Sequence, residues 1–295
     1  MWKVCNPVFE PVFLLQQALN GLSFGALLFL LASGLTLVFG LMRIINLAHG
    51  AFYMVGGYLG VVVATLTGNL LLGVLAGVVV VAGTAFVVEF VLLRFVRGQE
   101  LPEVLLTLGV SFVLADLCLA VFGGDPYTLP ASATIQGSMT IGDVTYPWYR
   151  IFVIGVAVVI GVALTLVQNR TRIGAIVRAG VDDREMISAM GVNIAWVFTG
   201  MFVVGAALAA IGGTIGSGVI SIRPGIQDDV LLYALVVVII GGLGSVQGAA
   251  VGSVLIGLID AFAKAWIPDL AYFTIFAPMA IVLVLRPTGL FGRTT

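Results

Sequence analysis

Charge is the scarcest property of this sequence. Only 9% of its 295 residues are Asp, Glu, Lys or Arg, against 61% hydrophobic residues. A soluble domain carries about 25% charged residues, so the chain has too few to cover the surface of a soluble globule. The net charge of −1 removes the basic patch that a nucleic-acid binder needs. Histidine occurs once, at His49, which excludes a multi-histidine metal site and a zinc-protease helix. The two cysteines, Cys5 and Cys118, offer no disulfide framework. The N-terminal stretch lacks a clear charged n-region and a small-residue cleavage site, so it reads as retained. No G-x-x-x-x-G-K-[ST] loop is present, so the chain has no such cradle for ATP phosphates.

What the sequence has in abundance is long apolar runs. A bilayer core of about 30 Å needs about 20 apolar residues per helix. Runs that meet or approach this lie at 12–40, 50–67, 70–93, 104–122, 149–167, 194–220, 231–240, 249–266 and 270–285. A membrane β-barrel would show short alternating segments instead. The expectation is an all-α polytopic membrane protein forming one domain over residues 1–295, with about eight spans (range seven to nine).

The basic residues orient the spans. Placing Arg43, Arg94, Arg97, Arg170, Arg172, Arg178, Arg184, Arg286 and Arg293 inside leaves Lys3, Arg150, Arg223 and Lys264 outside or near an outer helix end. This positive-inside arrangement predicts an external N-terminus and a cytoplasmic C-terminus. Residues 123–148 form a polar external loop with room for a small hairpin, and 169–193 a cytoplasmic segment.

Two stretches interrupt the apolar pattern. Gly40 to Gly50 carries Arg43, Asn46 and His49; Gly241-Gly242-Leu243-Gly244-Ser245-Val246-Gln247-Gly248 lies near the other end. Such breaks read either as re-entrant segments lining a pathway between repeats or as tight turns at the membrane surface. The only hint of a repeat is the pairing of Gly50-Ala51 with Gly248-Ala249. Asn46, His49, Tyr233, Gly241, Gly242, Gly244 and Ser245 are the candidates for a translocation pathway. Asp116 joins them, because an unpartnered intramembrane acid is expected to turn inward or be protonated. Asp260 and Lys264, four apart with the acid first, suit a structural ion pair. Glu89 is placed to snorkel to the cytoplasmic interface. Gly21-Leu22-Ser23-Phe24-Gly25 matches a nucleophile elbow, but lies inside an apolar helix and reads as small-residue packing. A hydrolase built on Ser23 and His49 is therefore the remotest alternative.

Asn20-Gly21-Leu22 through Gly34-Leu35-Thr36-Leu37-Val38-Phe39-Gly40, followed by Ile45-Asn46-Leu47-Ala48-His49-Gly50, resembles the opening of the branched-chain amino acid ABC transporter permeases. The likeness is to the shorter, LivH-like, of their two permease subunits. Thr171 to Ala179, then Asp182-Asp183-Arg184-Glu185 and Ala189-Met190-Gly191-Val192, look like that family's cytoplasmic loop. Val237 to Ser245 matches its late glycine motif, and Arg286-Pro287-Thr288-Gly289-Leu290-Phe291-Gly292 its ending. Two departures lie near the late motif: Leu232-Tyr233-Ala234-Leu235 is uncharged, and Gln247 replaces the usual residue.

The resemblance implies ABC importer architecture, a bacterial inner-membrane location and import of branched-chain or related hydrophobic amino acids by alternating access. It implies a second homologous permease (a heterodimer before a homodimer), two cytoplasmic ATPases holding ATP and Mg, and an external binding protein. This chain would itself bind no cofactor and be no enzyme. Its ATPase-coupling residues would be Arg172, Ile173, Gly174, Arg178, Asp182, Asp183, Arg184, Glu185, Met190 and Gly191. From the residues alone, 172–191 also suits an interfacial helix on anionic lipid. The same machine with another cargo (urea, short amides, aromatic acids) and a stand-alone channel or secondary carrier remain as alternatives.

Overall fold

The computed structural model describes residues 11–42, 45–130, 135–142, 144–182 and 184–292, and the side chains of all these except 141, 181, 182, 184, 185, 188, 271 and 272. Arg43, Lys3, Cys5, Asp183 and Arg293 lie outside the described residues. In chain order the elements are α1 (Pro11–Met42), α2 (His49–Thr67) and α3 (Leu70–Val87), the last running through a π-helical stretch (Val88–Leu93) into a short α4 (Arg94–Val96). Then follow α5 (Glu100–Phe122), β1 (Ser138–Ile141), β2 (Val144–Pro147) and α6 (Trp148–Arg170). The short pair α7 (Arg172–Asp182) and α8 (Arg184–Ala189) precedes α9 (Ile194–Gly216), α10 (Ile226–Gly241), α11 (Val246–Trp266) and α12 (Ala271–Leu285). Among the described residues, seven helices are long and apolar enough to cross a membrane, with the stretch 70–96 counted as one. α10 and α12, of 16 and 15 residues, are shorter. The polar loop between α5 and α6 forms the expected hairpin, β1–β2, antiparallel, with Ile141 opposite Val144.

α1 is the hub. It has no polar face, and its residues from Ala26 to Val38 are buried all round. It packs against α11, α9, α10 and α6. Glycine makes those contacts close: a Cβ on Gly34 would overlap the carbonyl of Gly205, and one on Gly25 the carbonyl of Ser253. Gly56 and Gly60 on α2 meet Ala210 and Thr214 of α9, and Gly73 and Gly77 of α3 meet α2 in the same way. The small-residue spacings therefore mark helix contacts. α3, α5, α6 and α12 turn large apolar side chains outward, among them Val79, Leu105, Val159 and Val284.

Two helices begin inside the protein. After α1 the chain doubles back, so that His49 Nε2 lies 2.9 Å from the carbonyl oxygen of Leu31. Position 31 is well short of the helix end at 42, by about 16 Å along the axis at about 1.5 Å per residue. The freed backbone groups find partners within the protein, as they must away from water. Asn46 Oδ1 accepts from the Ala48 amide at 3.1 Å, and Thr107 Oγ1 from the Leu47 amide at 3.3 Å.

The second re-entrant stretch follows α9. Ser217 to Gly225 runs back along α2, exchanging backbone hydrogen bonds of 2.7 and 2.8 Å between Tyr127 and Ile222. Ile222 lies over Gly57, and α10 then starts with the Gln227 carbonyl pressed against Gly50. Of the two readings of the break at 241–248, the tight turn is the one found, with Gly244 abutting Gly40 near the end of α1. The apolar run 194–220 hid the true break, because the turn residues Val219 and Ile220 are as apolar as the helix they follow.

The last motif closes the fold. Amides of Leu290 and Phe291 donate to the carbonyls of Ile240 and Gly241 at 2.9 and 3.0 Å, satisfying the otherwise orphaned end of α10. We predict that Gly34→Val, forced against the α9 backbone, lowers the thermal unfolding midpoint in detergent, with a cost of at least about 1–3 kcal/mol. Gly83→Ala, with open space at that position, should leave the midpoint unchanged or raise it. Equal midpoints for the two variants would refute the role given to the α1–α9 contact.

Candidate functional site

The segment between α6 and α9 is built to turn sharply. Thr171 Oγ1 accepts from the Gly174 amide at 3.2 Å, opening α7 directly beneath α6. A side chain at Gly174 would overlap the carbonyls of Val167 and Gln168, so the turn requires glycine. α7 then lays Val177 and Gly180 inward, Gly180 facing Leu41 of α1 and Ile194 of α9. At the start of α7 Ile173 is 64% exposed, and beyond the helix Met186 and Met190 are 61% and 73% exposed. Arg172 is exposed as well. Gly191, at φ +83°, turns the chain toward α9, whose first free amide is capped by Asn193. The side chains of Asp182, Arg184 and Glu185 lie outside the described residues, as does Asp183.

Arg178 departs from its neighbours. It is half-buried and lines a cavity of about 490 Å³ between α7, the ends of α1 and α6, and the 243–247 turn. Thr36, Gln168, Asn169, Ser245 and Gln247 supply its other polar walls, with Phe39, Met201 and Phe291 among the apolar ones. No carboxylate lines this basin among the described residues. Arg178 Nη1 and Thr36 Oγ1 are both buried without a hydrogen-bond partner. At Thr165, Val246 and Gln247 the basin adjoins a groove of about 540 Å³ that follows α1 between α6 and α11. That groove is apolar, with walls such as Phe29, Ile154, Val158, Val162 and Val254.

The sequence-predicted pathway residues divide. Gly244 and Ser245 line the basin, and Ser245 Oγ also caps α11 by accepting from the Gly248 amide at 3.0 Å. Gly241 and Gly242 pack against Gly248 and the C-terminal stretch. Tyr233 is half-buried, its ring edge-on to Phe24 at 5.8 Å. Asn46 and His49 are fully buried and line neither cavity. Because a carbonyl only accepts, the His49 contact to Leu31 puts the proton on Nε2. Asp116 does not turn inward as expected; its side chain is exposed on the outer side of α5. Ser23 donates to the Asn20 carbonyl at 2.9 Å, so Ser23 and His49 are each engaged elsewhere and form no nucleophile–base pair.

Glu89 also departs from expectation. Far from snorkelling, it is fully buried within the π-helical stretch, ion-paired to Arg97 and hydrogen-bonded by the Thr199 hydroxyl of α9. The Arg97 guanidinium also lies over the Phe198 ring at 4.8 Å. Sequence reasoning missed this cluster because the partner is eight residues away, outside the three- and four-residue spacings of an α-helix.

A family model described as branched-chain amino acid transport system / permease component matches residues 17–285. The chain belongs to that permease family. It is 31% identical over 298 residues to the high-affinity branched-chain amino acid transport system permease protein BraD of Pseudomonas aeruginosa, covering 95% of this chain and 96% of the relative. It is 30% identical to LivH of Escherichia coli K12, covering 96% of each. To the probable LivH of Methanocaldococcus jannaschii the identity is 23%, over 90% of this chain and 89% of the relative. No solved structure matches the chain.

We predict that Glu89→Ala, which strands the Arg97 cation, destabilises the permease by about 3 kcal/mol, the low end for a broken buried pair because Arg97 is partly exposed. Glu89→Leu combined with Arg97→Leu should recover most of that loss. Unfolding curves of the single and double variants in one detergent check this; strictly additive losses would show that the pair is not coupled.

Proposed function

We propose that this permease is one of two membrane-spanning subunits of an ATP-driven importer that carries branched-chain or related hydrophobic amino acids into the cytoplasm by alternating access. Family membership over most of the chain supports the cargo class, since BraD and LivH are named for that transport. The partners under this reading are a second, homologous permease forming a heterodimer, two cytoplasmic ATPases carrying ATP and Mg, and an external binding protein. The chain lies in the inner membrane of a bacterial cell, its N-terminus outside and its C-terminus in the cytoplasm.

The observation that carries the coupling is that the α7–α8 segment is anchored at one place and exposed at others. Val177 and Gly180 fix α7 to α1, while Ile173 at its start and Met186 and Met190 beyond it stand exposed. Three exposed apolar residues on a short, otherwise charged segment suit a protein cleft. An ATPase gripping these exposed residues, with Arg172, Asp182, Asp183, Arg184, Glu185 and Gly191 of the same segment and the turn at Gly174 as further coupling residues, transmits closure to α1 through Val177 and Gly180. The scarcity of charge within the spans fits a permease that leaves selection to an external receptor and binds its cargo weakly.

The test is uptake of labelled leucine by proteoliposomes holding the whole complex, with ATP inside and the binding protein outside. Uptake is expected only with both, and uptake by the single chain without ATP would overturn the reading. We predict that Ile173→Asp and Arg184→Glu each insert and assemble yet lower ATP-driven uptake by about tenfold or more. That loss corresponds to about 1.4 kcal/mol of coupling. Full uptake by both variants would remove this segment from the mechanism.

A further inference from the structure

The basin joins three features that no part of the packing requires together. The first is the cation of Arg178, with Nη1 sealed from solvent and unpaired. Burying part of a guanidinium without a partner is costly, and an anion is what offsets it. The second is the start of α11, whose residues Ser245, Val246 and Gln247 form one wall. The N-terminus of a 21-residue helix carries partial positive charge and favours an anion beside it. The third is Thr36, fully buried on α1 with an unpartnered hydroxyl on the same cavity. The amides of Gln168, Asn169 and Gln247 add carbonyl acceptors that suit an ammonium group. The apolar groove opens from this polar end at Thr165 and Val246.

We propose that the cytoplasmic basin is a weak binding site for an α-amino acid, its carboxylate on Arg178 and the α11 N-terminus and its apolar side chain in the adjoining groove. The site rests on the transport reading and sharpens it: cargo meets this subunit along α1, between α6 and α11, and not at the sealed His49. A simple anion such as phosphate would use the cation but not the groove. The preferred ligand therefore carries both a carboxylate and a hydrocarbon side chain.

The experiment is calorimetric titration of the complete complex in lipid nanodiscs, without binding protein, using leucine, leucinamide and inorganic phosphate. Leucine should bind, and leucinamide, which lacks the carboxylate, at least about tenfold more weakly, as for a lost charge-assisted hydrogen bond. Arg178→Gln should weaken leucine by the same factor and Arg178→Lys by less. Thr36→Val should weaken it a few-fold without moving the unfolding midpoint, so the site stays testable if Arg178→Gln fails to assemble. Equal binding of leucine and leucinamide, or wild-type affinity in Arg178→Gln, overturns the proposal. Phosphate bound more tightly than leucine in an Arg178-dependent way also overturns it. ATP-driven leucine uptake is measured in the same preparation. Uptake without Arg178-dependent binding overturns the site alone; Arg178-dependent binding without uptake supports the site and overturns the transport reading.

Discussion

The architecture depends on how closely backbones approach α1. Lipid is as apolar as leucine, so membrane helices gain nothing from hiding apolar side chains from it, and their association rests on packing. Along α1 the approach is closest at Gly21, Gly25, Gly34 and Gly40, where α11, α9 and the 243–247 turn each come within reach of backbone atoms. With α1 enclosed, the other spans take their places around it, and the chain after Met42 has room to fold back only beside it. The internal start of α2, the internal start of α10 and the basin beneath them all follow from that enclosure.

The spans, the hairpin, the amphipathic helix α7 and the Asp260–Lys264 pair were legible in the sequence, because each rests on local rules of length, alternation or helical spacing. The pair forms at 2.7 Å. The second re-entrant stretch was not legible, since its signal (Gly216, Gly218, Pro224, Gly225) is spread over residues that otherwise look like the end of a span. The late glycine motif and the C-terminal motif read as separate signatures, yet they are one structural unit: the second supplies the amides that the end of α10 lacks. Nothing local ties Thr36, Arg178 and Gln247 together, so the basin emerges only once α1, α7 and α11 are packed.

The few charges are not uniform in their surroundings. Glu89 has Arg97, Asp260 has Lys264, and Arg223 has Asp229 at 2.8 Å. Arg178 has a cavity. In an interior where an isolated charge is expensive, that difference separates side chains serving the fold from one whose counterpart arrives from outside.

The π-helical stretch in the third span has a geometric consequence. In a uniform α-helix, at about 100° per residue, Arg97 would stand about 80° round the axis from Glu89. A π-turn absorbs one extra residue, which brings the two back to within about 20° of the same line. The stretch Val88–Leu93 is thus a phase-setting insertion. A chain shortened by one residue there would form a uniform α-helix with the two ions seven residues apart and still within about 20° of one line, whereas the full-length stretch wound as regular α-helix would set them about 80° apart.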